Sequence, residues 1–224
     1  MNKITENECV TLVEVTFSVL LFLDYNQIPI KVVINTHHLQ VTPGEEQLIK
    51  GCISGKREMQ QALYDKYSGQ MYAVALRYAK MQQEAEDILQ EAFIKVFQKI
   101  DTFRQDSSLV HWIKKVVINT ALNSQRSKLY MYPMVDVDEL KSWTQEGTAI
   151  SDFSHQELLA MVQELPDGCR VIFNLFAIEG YKHHEIAKML EISEGTSKSQ
   201  YSRAKMLLQQ KVLSKNPSYE QARG

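Results

Sequence analysis

The stretch EAEDILQEAFIKVFQKID, residues 84–101, decides the fold. Ala85, Ile88, Leu89, Ala92, Phe93, Val96, Phe97 and Ile100 recur at the 3.6-residue period of a helix, with no position of the stripe missed. That spacing turns one apolar face toward a core and leaves Asp87, Gln90, Glu91, Ile94, Lys95 and Gln98 on the other side. The resulting ridge is mostly polar and partly acidic. A merely solvated face and a surface kept for a partner both account for it, and periodicity alone does not choose between them.

Upstream, helical character begins at Thr42, a plausible N-cap, with Pro43 at the first helical position ahead of Glu45 and Glu46. Leu48, Ile49, Cys52 and Ile53 make a short apolar face that Ser54 and Gly55 interrupt. Met59, Ala62, Leu63, Tyr67, Met71, Val74, Ala75 and Tyr78 make a longer one. Residues 1–40 are different. Val13, Val15, Phe17 and Val19 alternate with Glu14, Thr16 and Ser18, and a second apolar run covers residues 28–34, so both segments are expected to be strands. The apolar run between Glu14 and Asp24 falls well short of the ~20 residues that span a bilayer, and Glu6 and Glu8 do not suit the basic flank of a signal peptide. Neither membrane anchor nor signal is expected there.

Downstream, a polar loop over residues 102–108 precedes a further helix over residues 109–127, with Ile113, Val116, Val117 and Thr120 on its core side. Its far side carries Lys115, Asn119, Asn123 and Arg126, which fall in one line along the helix. Cations and amides so arranged suit phosphates and base edges, and asparagine is a poor helix former to choose for solubility alone. Over residues 130–153 the periodicity fails. Asp136, Asp138, Glu139, Glu146 and Asp152 are offset there only by Lys141, and Pro133 and Gly147 act as breakers, so this segment reads as an acidic linker.

Helical pattern resumes at Ser154 with Leu158, Leu159 and Val162, stops at Leu165 and Pro166, and restarts over residues 167–178 with Val171, Ile172, Leu175 and Phe176 inside. Gly180 is placed to end it. A short helix over residues 182–190 turns Ile186, Ala187 and Leu190 inward while Glu185 and Lys188 face out. After a turn at Glu191 and Ile192, Ser193 is positioned to cap a second helix, in which Ser197, Tyr201, Ala204 and Leu208 form the inward stripe. Opposite stand Ser199, Ser202 and Arg203, flanked by Thr196, Lys198 and Gln200. Two short helices, a tight turn and a polar, basic second helix make a helix-turn-helix, whose second helix can enter the major groove.

The expected fold class is therefore all-α: two small helical domains joined by an acidic linker, the C-terminal one a helix-turn-helix. The 224 residues, 44% hydrophobic and 23% charged, have the composition of a soluble globular protein. Cys9, Cys52 and Cys169 are far apart and outside any Cys-x-x-Cys pair, which supports neither a disulfide framework nor a zinc site and fits a reducing cytoplasm. No nucleophile with its base, metal cluster or phosphate loop can be assembled, and the adjacent His183 and His184 point in different directions on a helix. No catalytic residue, metal or cofactor is expected. The net charge of -2 averages segments of opposite sign.

Three motifs in order carry a resemblance: EAEDILQEAFIKVF, then SSLVHWIKKVVINTALNSQR, then ELPDGCRVIFNLFAIEGYKHHEIAKMLEISEGTSKSQYSRAKMLL. Together, over about residues 45–212, they resemble regions two and four of the extracytoplasmic-function sigma factors of bacterial RNA polymerase. The resemblance implies a first domain over residues 41–129 that binds the polymerase clamp helices and melts the minus-10 element. It implies a second domain over residues 154–215 that reads the minus-35 element. Residues 1–40 would then be an atypical extension, 130–153 the linker and 216–224 a tail.

Carried over residue by residue, the resemblance assigns Asp87, Gln90 and Glu91 to the polymerase. It assigns Arg104, Ser107, Ser108, His111, Lys115, Asn119, Asn123 and Arg126 to DNA in the first domain. There the loop from Arg104 to His111, with Asn119, would receive a base flipped out of the stack. In the second domain DNA would be met by Thr196, Lys198, Ser199, Gln200, Ser202 and Arg203, with Ser199 and Arg203 aimed at base edges and Lys198 at a phosphate. Trp112 is expected in the core, and the acidic linker would mimic nucleic acid near the polymerase cleft.

The chain departs from the family pattern at Glu191, where glycine is common, and at Lys182, where serine or threonine is common. It departs again at Ser197, Gln200 and Tyr201, where valine, arginine and leucine are common. The implied partners are core RNA polymerase, promoter DNA and, as a further candidate, an anti-sigma factor, with no membrane and a cytoplasmic location. The alternative is a helix-turn-helix regulator that acts without polymerase binding. It would use only the C-terminal element and leave the Asp87 ridge and the Lys115 line without purpose.

Overall fold

A computed structural model describes residues 41–131 and 154–215, with side chains throughout except at residues 125–131, His155 and Leu213. The strands expected before residue 41, most of the acidic linker and the tail lie outside the described residues. What is described falls into two units divided after Ser124.

In the first unit, α1 (Pro43–Ile53) starts where the capping residues predict: Glu45 N–H donates to Thr42 Oγ1 at 3.3 Å, and Thr42 N–H donates back to the Glu45 carboxylate at 3.0 Å. It ends at Gly55, whose φ of 70° lets Lys56 N–H close onto the Gly51 carbonyl. The helices α2 (Arg57–Tyr78), α3 (Gln82–Lys99) and α4 (Leu109–Met131) follow, with a 3₁₀ turn at Ile100–Thr102 after α3. Leu63, Met71, Val74, Ala75 and Tyr78 of α2 are buried, and so are Ala85, Ile88, Leu89, Ala92, Phe93 and Val96 of α3. Tyr64 meets Phe93 edge-to-face with ring centroids 4.8 Å apart. Each larger side chain so buried contributes about 1.5–3 kcal/mol. On α4 the expected inward Ile113, Val117 and Thr120 are buried and Val116 is half-buried, but Ile118, Ala121 and Leu122 are buried as well. The apolar stripe is wider than its period alone suggested, and the helix runs to Met131, past the expected start of the linker.

One polar latch ties α1 to α2. Glu45 accepts from the Tyr67 hydroxyl at 2.5 Å and from Lys66 Nζ at 3.0 Å. Burial would raise its pKa, but the hydrogen bonds from Tyr67, the Thr42 backbone and Lys66 prevail and hold it at about 2.

In the second unit, α5 (His155–Gln163) opens on a capping box between Ser154 and Glu157. The others are α6 (Asp167–Phe173), a π turn at Asn174–Ile178, α7 (His183–Leu190) and α8 (Glu194–Lys215). Their core comprises Leu158, Met161, Val162, Leu165, Cys169, Phe173, Ala204, Leu208 and Val212. Sequence periodicity gave the segment 167–178 one inward face. Instead every residue from Cys169 to Leu175 is buried, because α6 is enclosed all round. Arg170, 1% exposed, is accommodated by an ion pair with Asp167 at 2.6 Å and by the carbonyls of Leu165 and Gln163. The π turn follows, its Glu179 N–H reaching back to the Asn174 carbonyl while Asn174 Nδ2 donates to the Arg170 carbonyl at 2.9 Å. Gly180, at φ 77°, ends the segment as expected. Among the described residues no helix is long and apolar enough to cross a membrane.

Candidate nucleic-acid and protein interfaces

On α3 the inward stripe is buried except at Phe97, which is half-buried, and the other face projects. Asp87, Gln90 and Glu91 are all exposed, and between them and Gln98 stands Ile94, 57% exposed. It is an isoleucine open to water on an otherwise polar ridge, and the sequence-derived polymerase set did not include it. Glu91 is engaged along the ridge by Lys95 Nζ at 2.6 Å, and the same Nζ lies 3.3 Å from Thr120 Oγ1 of α4. Lys95 is therefore half-buried and braces Glu91 rather than standing free.

The loop between the 3₁₀ turn and α4 is anchored at its base by Phe103, buried with its ring centroid 5.5 Å from that of the half-buried Trp112. Above this anchor Arg104, Gln105 and Asp106 are exposed. Gln105 sits at φ 59°, a left-handed conformation that costs an L side chain roughly 1–2 kcal/mol, so the loop holds one sharp bend. Of the residues expected to meet DNA here, Arg104 and His111 are exposed and Ser107 is half-buried. Ser108 is a correction. It is 8% exposed and its hydroxyl is committed to the start of α4, accepting from His111 N–H at 3.4 Å and lying 2.7 Å from His111 Nδ1. The Ser108 hydroxyl is thus turned toward His111 rather than open to solvent. Along α4, Lys115, Asn119 and Asn123 are exposed in one line, as their spacing requires. The Arg126 side chain lies outside the described residues.

In the second unit α7 and α8 form the two-helix element. Lys182 N–H donates to the Glu185 carboxylate at 2.7 Å, supplying half of a capping box without a serine or threonine. The turn is a Schellman closure: Glu191 adopts φ 57° and Ile192 N–H reaches the Ala187 carbonyl at 3.0 Å. Ser193 then caps α8, accepting from Thr196 N–H at 2.9 Å.

The buried stripe of α8 comprises Ser197, Gln200, Ala204, Leu208 and Val212, with Tyr201 beside it. This corrects the placement of Gln200, expected on the DNA side. It is 7% exposed, and its Oε1 accepts from the Cys169 thiol of α6 at 3.0 Å. The stripe passes on the Gln200 side of the helix because α6 is packed there. Burial raises the Cys169 thiol pKa while the nearby Arg203 charge opposes the shift, so the thiol stays protonated at neutral pH. Arg203 is accordingly half-buried on the α6 flank rather than pointing straight outward. Lys198 and Ser202 are exposed; Thr196 and Ser199 are half-buried, the Ser199 hydroxyl donating to the Thr196 carbonyl at 3.1 Å. Lys198 pairs with Glu194 at 2.8 Å on the surface.

His183, the first residue of α7, stacks on Phe176 with centroids 4.2 Å apart and planes at 15°. It meets Tyr201 edge-on at 5.7 Å, and its Nδ1 lies 2.9 Å from Ser197 Oγ. Burial depresses its pKa and the Lys198 charge depresses it further, against a smaller opposing effect of Glu194.

Comparison with known proteins matches sigma-70 region 2 to residues 63–129 and sigma-70 region 4 to residues 155–208, together just over half of the chain. The chain is 27% identical over 180 residues to the ECF RNA polymerase sigma-E factor of Escherichia coli (strain K12), covering 75% of this chain and 94% of that protein. It is 28% identical over 173 residues to the RNA polymerase sigma-H factor of Pseudomonas aeruginosa, covering 72% and 90%. Among solved structures, the sigma factor RpoE in complex with the anti-sigma factor NepR from Bartonella quintana aligns with a TM-score of 0.44 and 21% identity, over 67% of this chain and 94% of that one. CnrH in complex with the cytosolic domain of CnrY aligns at 0.42 and 18%, over 76% and 97%.

Proposed function

Because this chain belongs to the sigma-70 family, in its extracytoplasmic-function branch, and so directs promoter-specific transcription initiation, we propose how its surfaces divide that work. Asp87, Gln90, Glu91 and the exposed Ile94 of α3 dock on core polymerase. The polar loop with Arg104, Ser107 and His111, together with Lys115, Asn119, Asn123 and Arg126, receives the minus-10 strand. Thr196, Lys198, Ser199, Ser202 and Arg203 of α8 face the minus-35 duplex, Lys198 on a phosphate. The observation that supports this reading is that α3 and α8 each bury one face in their own unit and carry exposed polar residues on the other, Asp87, Gln90 and Glu91 on α3 and Lys198 and Ser202 on α8. Action with polymerase on the promoter puts the protein in the cytoplasm. An anti-sigma factor is a further partner proposed from family membership alone.

Reversing charge at Asp87 and Glu91 tests the division. Both are exposed, and the Glu91–Lys95 pair is worth only about 0.3–0.5 kcal/mol, so melting changes little while affinity for core polymerase falls at least ten-fold. Unchanged polymerase affinity would move the docking surface off the Asp87–Glu91 ridge of α3.

A further inference from the structure

We propose that His183 is a positioning residue for promoter readout, fixing through Ser197 the rotation of α8 about its own axis. The proposal rests on the reading of α8 as the helix that faces DNA. An ordinary first residue of a helix points to water. The His183 ring is instead held between Phe176 and Tyr201, with Nδ1 at 2.9 Å from a hydroxyl on the facing helix. That hydroxyl belongs to Ser197, which is fully buried in the first turn of α8. A buried hydroxyl left without its partner costs roughly 1–3 kcal/mol, so the arrangement strongly favours the one rotation of α8 that keeps the bond.

The apolar contacts between α7 and α8 lack this directionality. Ile186 and Leu190 are buried apolar side chains that tolerate a small turn of the partner helix with little loss of area. Hydrogen bonds to base edges do not tolerate it, since donor–acceptor distances must stay within a few tenths of an ångström. Lys198, Ser199, Ser202 and Arg203 all lie within two turns of Ser197 on the same rigid helix, so whatever holds Ser197 holds them. On the α6 side the Cys169–Gln200 bond ties α8, and on the α7 side the His183–Ser197 pair adds a second directional tie where apolar packing would leave the angle looser. His183 acts on specificity without touching DNA.

The test uses the full chain with core polymerase and a library of upstream promoter elements. His183→Ala, Ser197→Ala, the double variant and His183→Asn are each measured for melting, for base preference and for the salt dependence of binding. Either Ala substitution flattens the ratio of best to worst element by roughly three- to ten-fold, the double variant is no flatter than the worse single, and the salt slope stays put. His183→Asn, whose amide offers a hydrogen-bonding group near the position of Nδ1, restores most of the preference. Folded variants with unchanged preference overturn the proposal, and so do single effects that simply add, because a shared bond cannot be lost twice. A lowered melting temperature with intact preference likewise reduces His183 to packing. Replacing Lys198 and Arg203 together by alanine serves as the control: if affinity and preference both survive that change, the DNA-facing assignment of α8 falls first and takes the proposal with it.

Discussion

Glu191 holds φ at 57° in the turn between α7 and α8, where the other left-handed helix ends among the described residues, Gly55 and Gly180, use glycine. An L side chain pays roughly 1–2 kcal/mol for that conformation, while glycine adds back about 0.5–1 kcal/mol of chain entropy in the unfolded state. Glu191→Gly is therefore expected to stabilise the second unit by up to about 1 kcal/mol, seen as a rise in its thermal midpoint. A fall would mean that the contacts of the Glu191 side chain outweigh the backbone strain. The substitution that sequence comparison marks as a departure is thus a local cost, legible as such only once the dihedral is known. Ser108 and Gln200 illustrate the opposite limit. Both are polar and flank surface positions, and pattern together with the family resemblance put them on DNA. A capping bond three residues away in one case and a thiol 31 residues away on α6 in the other turn them inward, and only the first lies within reach of local pattern.

At the scale of elements, α3 was readable because it has a single covered face, so hydrophobicity and burial share one period. The segment 167–178 was not, because a helix enclosed on every side has no polar face to mark its phase, and its π turn shifts that phase within the element. Packing between α1 and α2 was equally hidden, since it depends on an absence. A Cβ at Gly51 would lie 2.2 Å from Met59 Cγ and 2.7 Å from Met59 Cβ, and the Cβ cannot swing aside. Gly51→Ala should then force the two helices apart and cost about 1–3 kcal/mol, measured by denaturant or thermal unfolding. Melting at the wild-type temperature would show that Met59 finds room to move.

Among the described residues, Glu157, Glu164 and Glu194 of the second unit have lowered carboxyl pKa values, and the acid response of the first unit is carried by the latch at Glu45. Its carboxyl sits at about 2 when folded against 4.5 for the unconstrained group, so its contribution is fully present above 4.5 and disappears as pH falls toward about 2. The thermal midpoint of the first unit is expected to drop across that window, and Glu45→Gln should flatten the drop while lowering the plateau above it. A slope unaltered by Glu45→Gln would assign the acid sensitivity to other carboxylates.

Among the described residues, the nine that form the apolar cluster against α8 all fall between Leu158 and Val212, so that cluster is built from sequence local to the second unit. Heredity can then handle this unit as a cassette. A chimera carrying residues 154–215 in place of the matching segment of another sigma factor should import this chain's taste for upstream elements and keep the host's downstream one. Sequencing the transcription start sites used by such a chimera would show whether regulons can be rewired by exchanging one such block.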